Sequence, residues 1–375
     1  MNFDPTPLQN EMQAKAAEAF RRREATAFAR LETAQPPELK ALTLDLLKPL
    51  VQAGYWTLAL GDYGEENALA LALMEMETAR ASFSLAIALQ KTRLFARTVK
   101  KYANADVKSV ILDPIMRGEA LAAVTLLDAA RSPLALSASR SGGGFLLNGE
   151  TSFVVNAPVA DWLAVETSVE DKPFILLIKA NDVSVVIGER TESAGVNGVA
   201  FAKMRFNATP VSASRALGPF DGSRLIDSLA ATNDLGLAVA AAGLMKSVFE
   251  AIKTYAGEAG ATGKPRMADQ HVRYTIAELL ALVQTAELLA LRAIWLRAVK
   301  DPEAHTIGRA AKAFCADTAA AVAREALQIA GADGFAGGSL FARALRDAQY
   351  IGIAGTDTAA AKERIAKDLL IRYEV

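Results

Sequence analysis

Asp234 is the carboxylate with the clearest chemical prospect, in the run Thr232-Asn233-Asp234 ahead of the apolar stretch LGLAVAAAGLM. A carboxylate whose pKa is raised by apolar surroundings can serve as a general base. The same run also reads as a helix start, where a side-chain oxygen meets free backbone N–H groups. Asn233 cannot take a proton at neutral pH. A second stretch of interest runs from Arg324 to Leu370. It reads as a helix ending at Gly331, a turn at Gly334-Phe335, a helix carrying Arg346-Asp347, a turn at Ile353-Ala354-Gly355-Thr356, and a last helix. Backbone N–H groups free at that last helix start suit a phosphate or the polar edge of a ring. Thr356 and Thr358 serve equally well there as turn or cap residues. His271 and His305 flank helices with no carboxylate or cysteine at ligand spacing, so they read as surface residues and no metal site is expected.

Composition bounds the elements that must hold these residues. The chain has 375 residues, enough for two or three domains, with 52% hydrophobic but only 7% aromatic residues. Abundant alanine favours close-packed helices. The 41 Lys and Arg residues balance 42 Asp and Glu residues, so no global charge points to nucleic acid. Cys315 is the lone cysteine, which rules out an internal disulfide and suits a reducing compartment. The first residues lack an apolar signal core, and no uncharged apolar run reaches the ~20 residues of a bilayer span. The expectation is a cytoplasmic protein with no membrane span.

Residues 1–120 read as a helical domain, with helices expected over Ala14–Glu32, Glu38–Gly54, Leu69–Gln90, Leu94–Tyr102 and Val107–Met116. Met74 and Met76 read as core filling. Residues 121–215 read as an antiparallel β-domain of short strands, with Asn148-Gly149 and Asn197-Gly198 as hairpin turns. Residues 216–375 read as a four-helix domain built from Leu225–Ala256, Met267–Val299, Ile307–Ile329 and Thr358–Tyr373. The helices from Leu225 to Val299 are apolar on more than one face, which predicts burial against another subunit as well.

Gln328-Ile329, Gly331, Gly334-Phe335, Arg346-Asp347 and Gly355-Thr356 resemble the C-terminal signature of the acyl-CoA dehydrogenase family, and the order helical, β, helical extends the resemblance over the whole chain. It implies an α+β, mostly α fold and FAD-dependent α,β-dehydrogenation of an acyl-CoA, with an electron-transfer flavoprotein as acceptor. It also places the family's usual catalytic base where Ala354 stands, and, for some members, where Asn233 stands. Asp234 is then a candidate replacement base. In the stretches that hold the flavin ring, Thr125, Ala129, Phe153 and Asn156 match, whereas Ala130-Arg131 replaces a Gly-Ser turn and Val155 replaces a threonine. On the dinucleotide side Gln270, Gln328 and Gly331 match residues that face a neighbouring chain's FAD, and Thr356 and Thr358 match contacts to the chain's own pyrophosphate. Ala259 replaces an arginine clamp, unless Lys264 or Arg266 takes its place. With the ring side altered and the neighbour side kept, the resemblance implies weak or shared FAD and either a paralogous partner subunit or a homo-oligomer. A non-catalytic FAD-interface subunit and a self-sufficient enzyme using Asp234 are the alternatives.

Overall fold

A computed structural model describes residues 4–373 apart from 22, 24, 63, 126–135, 221–223 and 261–262. Seven helices come first: α1 (Pro7–Arg21), α2 (Ala25–Leu31), α3 (Pro36–Gln52), α4 (Tyr55–Leu60), α5 (Glu65–Ala81), α6 (Phe83–Tyr102) and α7 (Ala105–Met116). Two expected helices are each divided. Ala14–Glu32 breaks between α1 and α2, and Leu69–Gln90 breaks at Ser82. Ser82 adopts extended geometry and its hydroxyl accepts the Leu85 N–H, so an N-cap outweighs the continuous apolar pattern there. Met74 and Met76 lie in the core, as their setting in the sequence implied.

The sheet follows with β1 (Ala122–Val124), β2 (Leu136–Ser141), β3 (Gly144–Val155), β4 (Trp162–Val169), β5 (Lys172–Lys179), β6 (Val185–Ile187), β7 (Phe201–Ser212) and β8 (Ala216–Leu217). Most neighbours are antiparallel, but β1 and β2 both pair in parallel with β4, which corrects the purely antiparallel expectation. Asn148-Gly149 is no hairpin turn either. It lies inside β3 at a register shift against β7, so the Asn-Gly pair marks a bulge. The tight turn is Gly142-Gly143, between β2 and β3. One face of the sheet forms its own core around Leu147, Leu163, Val165 and Leu176. The other packs Ala122, Ala164 and Ile175 against the N-terminal helices.

The last helices are α8 (Arg224–Gly257), α9 (Gln270–Ala298), α10 (Ala304–Phe335), α11 (Leu340–Ile353) and α12 (Thr358–Tyr373). Helix α8 is the hub and packs against α5, α6, α9, α10 and α11. Its Ala-rich surface lets those axes come close, and Leu237, Ala238, Val239, Ala241 and Ala242 are wholly buried. Helices α8 and α9 are each long and apolar enough to cross a membrane, but α8 is 72% buried within the fold over its most apolar window. Burial against other helices accounts for its hydropathy. Helix α9 is only 39% buried over the same length and exposes Tyr274, Leu280 and Leu288.

Candidate active and cofactor site

Asp234 does not start a helix. It lies ten residues into α8 and is only 3% exposed. Its Oδ1 accepts the backbone N–H of Thr356 at 3.0 Å, so the carboxylate caps the turn before α12 from another element. Gly355 makes that approach possible. It has φ of +64°, and a Cβ there would fall 2.4 Å from Asp234 Oδ1 and 2.5 Å from Asn233 Nδ2. Burial pushes the Asp234 carboxyl above the usual carboxylate range, opposed by the hydrogen bonds from Thr356 and the charges of Lys312 and Lys91. Lys312, fully buried on α10, is held below the ordinary lysine range by burial, with Asp234 opposing. Its Nζ also donates to Gly352 O at 3.4 Å.

Asn233 binds the opposite neighbour, α6. Lys91 Nζ donates to Asn233 Oδ1 at 2.8 Å, and Gln90 Nε2 donates to Asn233 O at 2.6 Å. Asn233 Nδ2 and Gln90 Oε1 are buried with no hydrogen-bond partner among the described residues. The sequence reading missed Gln90, Lys91 and Lys312. A lone charge or amide inside an otherwise apolar helix is the signal that points to each of them. Ala354, where the resemblance expects the family's base, is buried and brings no titratable atom. The fold therefore gathers three groups of residues here: one acid and one amide of α8, the Gln90 amide and cations from α6 and α10, and the turn before α12.

Around the expected ring-facing residues, polar atoms are used internally. Thr125 Oγ1 accepts the Glu166 N–H at 3.0 Å. Asn156 Nδ2 donates to Ala88 O at 2.9 Å and Ala122 O at 3.1 Å, so it ties the sheet to α6. Val155 is part of the helical core, and Phe153, with φ of +60°, stacks on Phe201 at 4.3 Å. Ala129, Ala130 and Arg131 lie outside the described residues. Glu166 on β4 is buried, its Oε2 has no partner among the described residues, and burial raises its pKa to about 7.

The residues expected to face a neighbouring chain lie elsewhere, at the far end of α8. Tyr255 Oη donates to Ala330 O at 3.1 Å and reaches Asp333 Oδ2 at 2.8 Å. Arg266 lies over the Tyr255 ring at 3.9 Å and donates to Tyr255 O at 3.2 Å. Its guanidinium thus comes to the region where Ala259 leaves a gap, with Asp333 4.0 Å away. Gly331 interrupts α10 with φ of 61° and ψ of −135°, and one more turn runs on to Phe335, past the expected helix end. Gln270 and Gln328 are both exposed, and the Gln270 amide donates to Tyr274 Oη at 2.8 Å. Thr358 opens α12, where Asp357 Oδ1 accepts the Ala360 N–H at 2.9 Å, so Asp357 is the cap. Thr356 and Thr358 adjoin Asp234 and Gly352, not the Gln270–Gln328 surface.

Beside Asp234 lies a cavity of about 130 Å³ lined also by Arg297, His305, Arg309, Thr356 and Arg364. His305 is exposed at its rim, and no cluster of metal-ligating side chains occurs among the described residues.

Taken together, these helices and this sheet form an acyl-CoA dehydrogenase fold. Solved structures of butyryl-CoA dehydrogenase from Megasphaera elsdenii (TM-score 0.88, 20% identity, 99% of this chain and 100% of that one) and of a glutaryl-coenzyme A dehydrogenase with glutaryl-CoA (TM-score 0.89, 21% identity, 99% and 97%) superpose on it. The family description "Acyl-CoA dehydrogenase, C-terminal domain" matches residues 221–370. Benzylmalonyl-CoA dehydrogenase of Aromatoleum aromaticum is 28% identical across 98% of this chain and 100% of its own. Residues 221–370 thus carry the acyl-CoA dehydrogenase C-terminal domain, and the chain as a whole is similar to FAD-dependent acyl-CoA dehydrogenases.

FAD tests this chain's residues unevenly. The exposed amides of Gln270 and Gln328, the Gly331 kink and the Arg266 guanidinium fit the polar dinucleotide part of a cofactor approaching from outside. Among the described residues the expected ring-facing set fits less well: Val155 offers no hydrogen bond, and the Thr125 hydroxyl, which accepts from β4, keeps only its O–H to offer as donor.

Proposed function

We propose that this chain is a subunit of an acyl-CoA dehydrogenase assembly. It binds an acyl-CoA thioester and offers its Gln270–Gln328–Gly331 surface to FAD held mainly by a second, better-preserved chain. Bound FAD would supply the hydride acceptor for α,β-dehydrogenation, and an electron-transfer flavoprotein is the acceptor this reading expects. Asn233 Nδ2 and Gln90 Oε1, buried with no hydrogen-bond partner among the described residues, would orient a polar part of the acyl moiety. Arg297, Arg309 and Arg364 line the cavity by Asp234, against Asp227 and Asp234, and would meet the anionic end of coenzyme A.

One observation carries this reading. The resemblance puts the family's base at Ala354, and Asp234, packed against the neighbouring Gly355, gives its Oδ1 to the Thr356 N–H. A base that abstracts a proton must reach the substrate carbon, and a buried cap is already engaged. The test is a visible absorption spectrum of the purified chain, alone and with a co-expressed paralogue, after gel filtration. The chain alone should emerge colourless and inactive. One yellow flavin per chain with turnover, and no partner present, would remove the heteromer.

A second reading has its own observation in favour. Asp234 touches Gly355, the residue after Ala354, and burial raises its pKa toward the range a base needs. Under that reading the chain is self-sufficient, and Asp234→Asn abolishes dehydrogenation while the Oδ1 cap and the fold persist. An unchanged rate in Asp234→Asn would return the residue to a capping role.

A further inference from the structure

We infer that the cavity between the end of α4, the second half of α6 and the start of α8 is an anion site for a phosphate-bearing small molecule. Its volume is about 350 Å³, within the size range of small-molecule sites. Arg97, Lys100, Lys101 and Arg297 line it, against one carboxylate among the described lining residues, Asp62. Such a surplus of guanidinium and ammonium groups favours a dianionic phosphoryl group over a neutral ligand.

The cations are held in place. Arg97 Nη1 donates to Ala59 O at 3.0 Å, and Lys100 Nζ donates to Leu60 O. These are the last carbonyls of α4, where a cation is favoured and a donor is needed. Bonding to these carbonyls orients both cations at the cavity wall. Lys101 is exposed, with its Nζ 5.0 Å from the Tyr102 ring centroid. Arg297 is pinned by Thr232 Oγ1 at 2.6 Å and Ser228 O at 3.2 Å.

This cavity is distinct from the cluster near Ala354. Its cations on α6 lie seven to eleven residues beyond Gln90, about 10 to 16 Å at the helical rise, although Leu94 and Thr232, nearer the Gln90–Asn233 contact, also line it. Arg297 and Ser228 also line the smaller cavity beside Asp234, so the two spaces share one wall. A phosphate here has two sources: a free phosphorylated metabolite, or a phosphate of a coenzyme A lying across Arg297. The site rests on its own charges and not on the acyl-CoA reading.

Isothermal titration of the full chain with sodium pyrophosphate at low ionic strength tests it. We expect one site, weakened about tenfold or more by Lys101→Glu. Lys253→Glu makes the same charge change on exposed α8 surface about 30 Å from Thr232 along the helix axis and should leave binding intact. Lys101→Ala should fall between wild type and Lys101→Glu, with an unchanged melting curve. Coenzyme A displacing pyrophosphate assigns the phosphate to coenzyme A, and binding of both without displacement assigns it to a free metabolite. Pyrophosphate binding without any coenzyme A binding leaves this site standing and sinks the acyl-CoA reading. No pyrophosphate heat, or equal weakening by the two charge reversals, overturns the site.

Discussion

Two regions along α8 use their polar atoms in opposite ways. At the crossing of α6, α8 and the turn before α12, Asn233 and Asp234 are almost wholly buried and bonded to Gln90, Lys91 and Thr356. At the far end of α8, Gln270, Gln328 and Gly331 are exposed around a cluster built from Tyr255, Arg266 and Asp333. Buried polar groups must be satisfied internally, because a desolvated donor or charge without a partner costs more than a bond contributes. Exposed amides carry no such obligation. Substitutions in the first region should therefore act on the fold, and those in the second on an assembly.

The largest effect should come from Asp234→Ala. It strips the acceptor from the Thr356 N–H and the counter-charge from buried Lys312, and should cost about 3 to 5 kcal/mol in urea unfolding. Asp234→Asn keeps Oδ1 and should cost clearly less. If both variants unfold like the wild type, the carboxylate is no cap.

Glycine substitutions sharpen the contrast next. Gly355 and Gly331 both have φ near +60°, so an alanine at either is strained by about 1 to 3 kcal/mol. At Gly355 the added Cβ also overlaps Asp234 and Asn233, whereas at Gly331 nothing lies within 4 Å. Gly355→Ala should be the more destabilising of the two by thermal or urea melts. Equal costs would mean that the loop is not clamped.

A pH series reaches the same buried logic through Asp347. Its Oδ1 accepts the Val196 N–H at 2.5 Å, and burial raises its pKa to about 7, well above the ordinary aspartate value. The native state therefore holds this proton longer than the unfolded chain. Its stabilising contribution is complete below about pH 4 and is lost as pH rises through about 7. Urea midpoints should fall across that window, and Asp347→Asn should flatten the fall. Glu166, also raised to about 7, should leave a residual slope. An identical slope in the variant would show that Asp347 titrates normally.

The smallest effect on the fold belongs to Gln328→Ala. An exposed amide should change the stability of the isolated chain by less than about 0.5 kcal/mol. Flavin occupancy of a co-purified pair should nevertheless drop. Unchanged occupancy would take Gln328 out of the interface.

Much of this was legible in the sequence because it depends on local pattern. Helical texture, the block of strands, and the Gln328–Thr356 signature follow from periodicity, glycine positions and short spacings. Local rules also misled where two of them compete. Ser82 reads as an interior helix residue until its cap bond to Leu85 is seen, and Asn148-Gly149 reads as a turn until β7 pairs across it as a bulge. The role of Asp234 was beyond reach of any local rule. Its partner, Thr356, is 122 residues away, and Lys91, which bonds its neighbour Asn233, lies 142 residues before. Sequence determines that a carboxylate stands at 234 and an alanine at 354. Only packing α8 against α6, α10 and the turn at Gly355 decides that this carboxylate is buried, charged against lysines and spent on a backbone N–H.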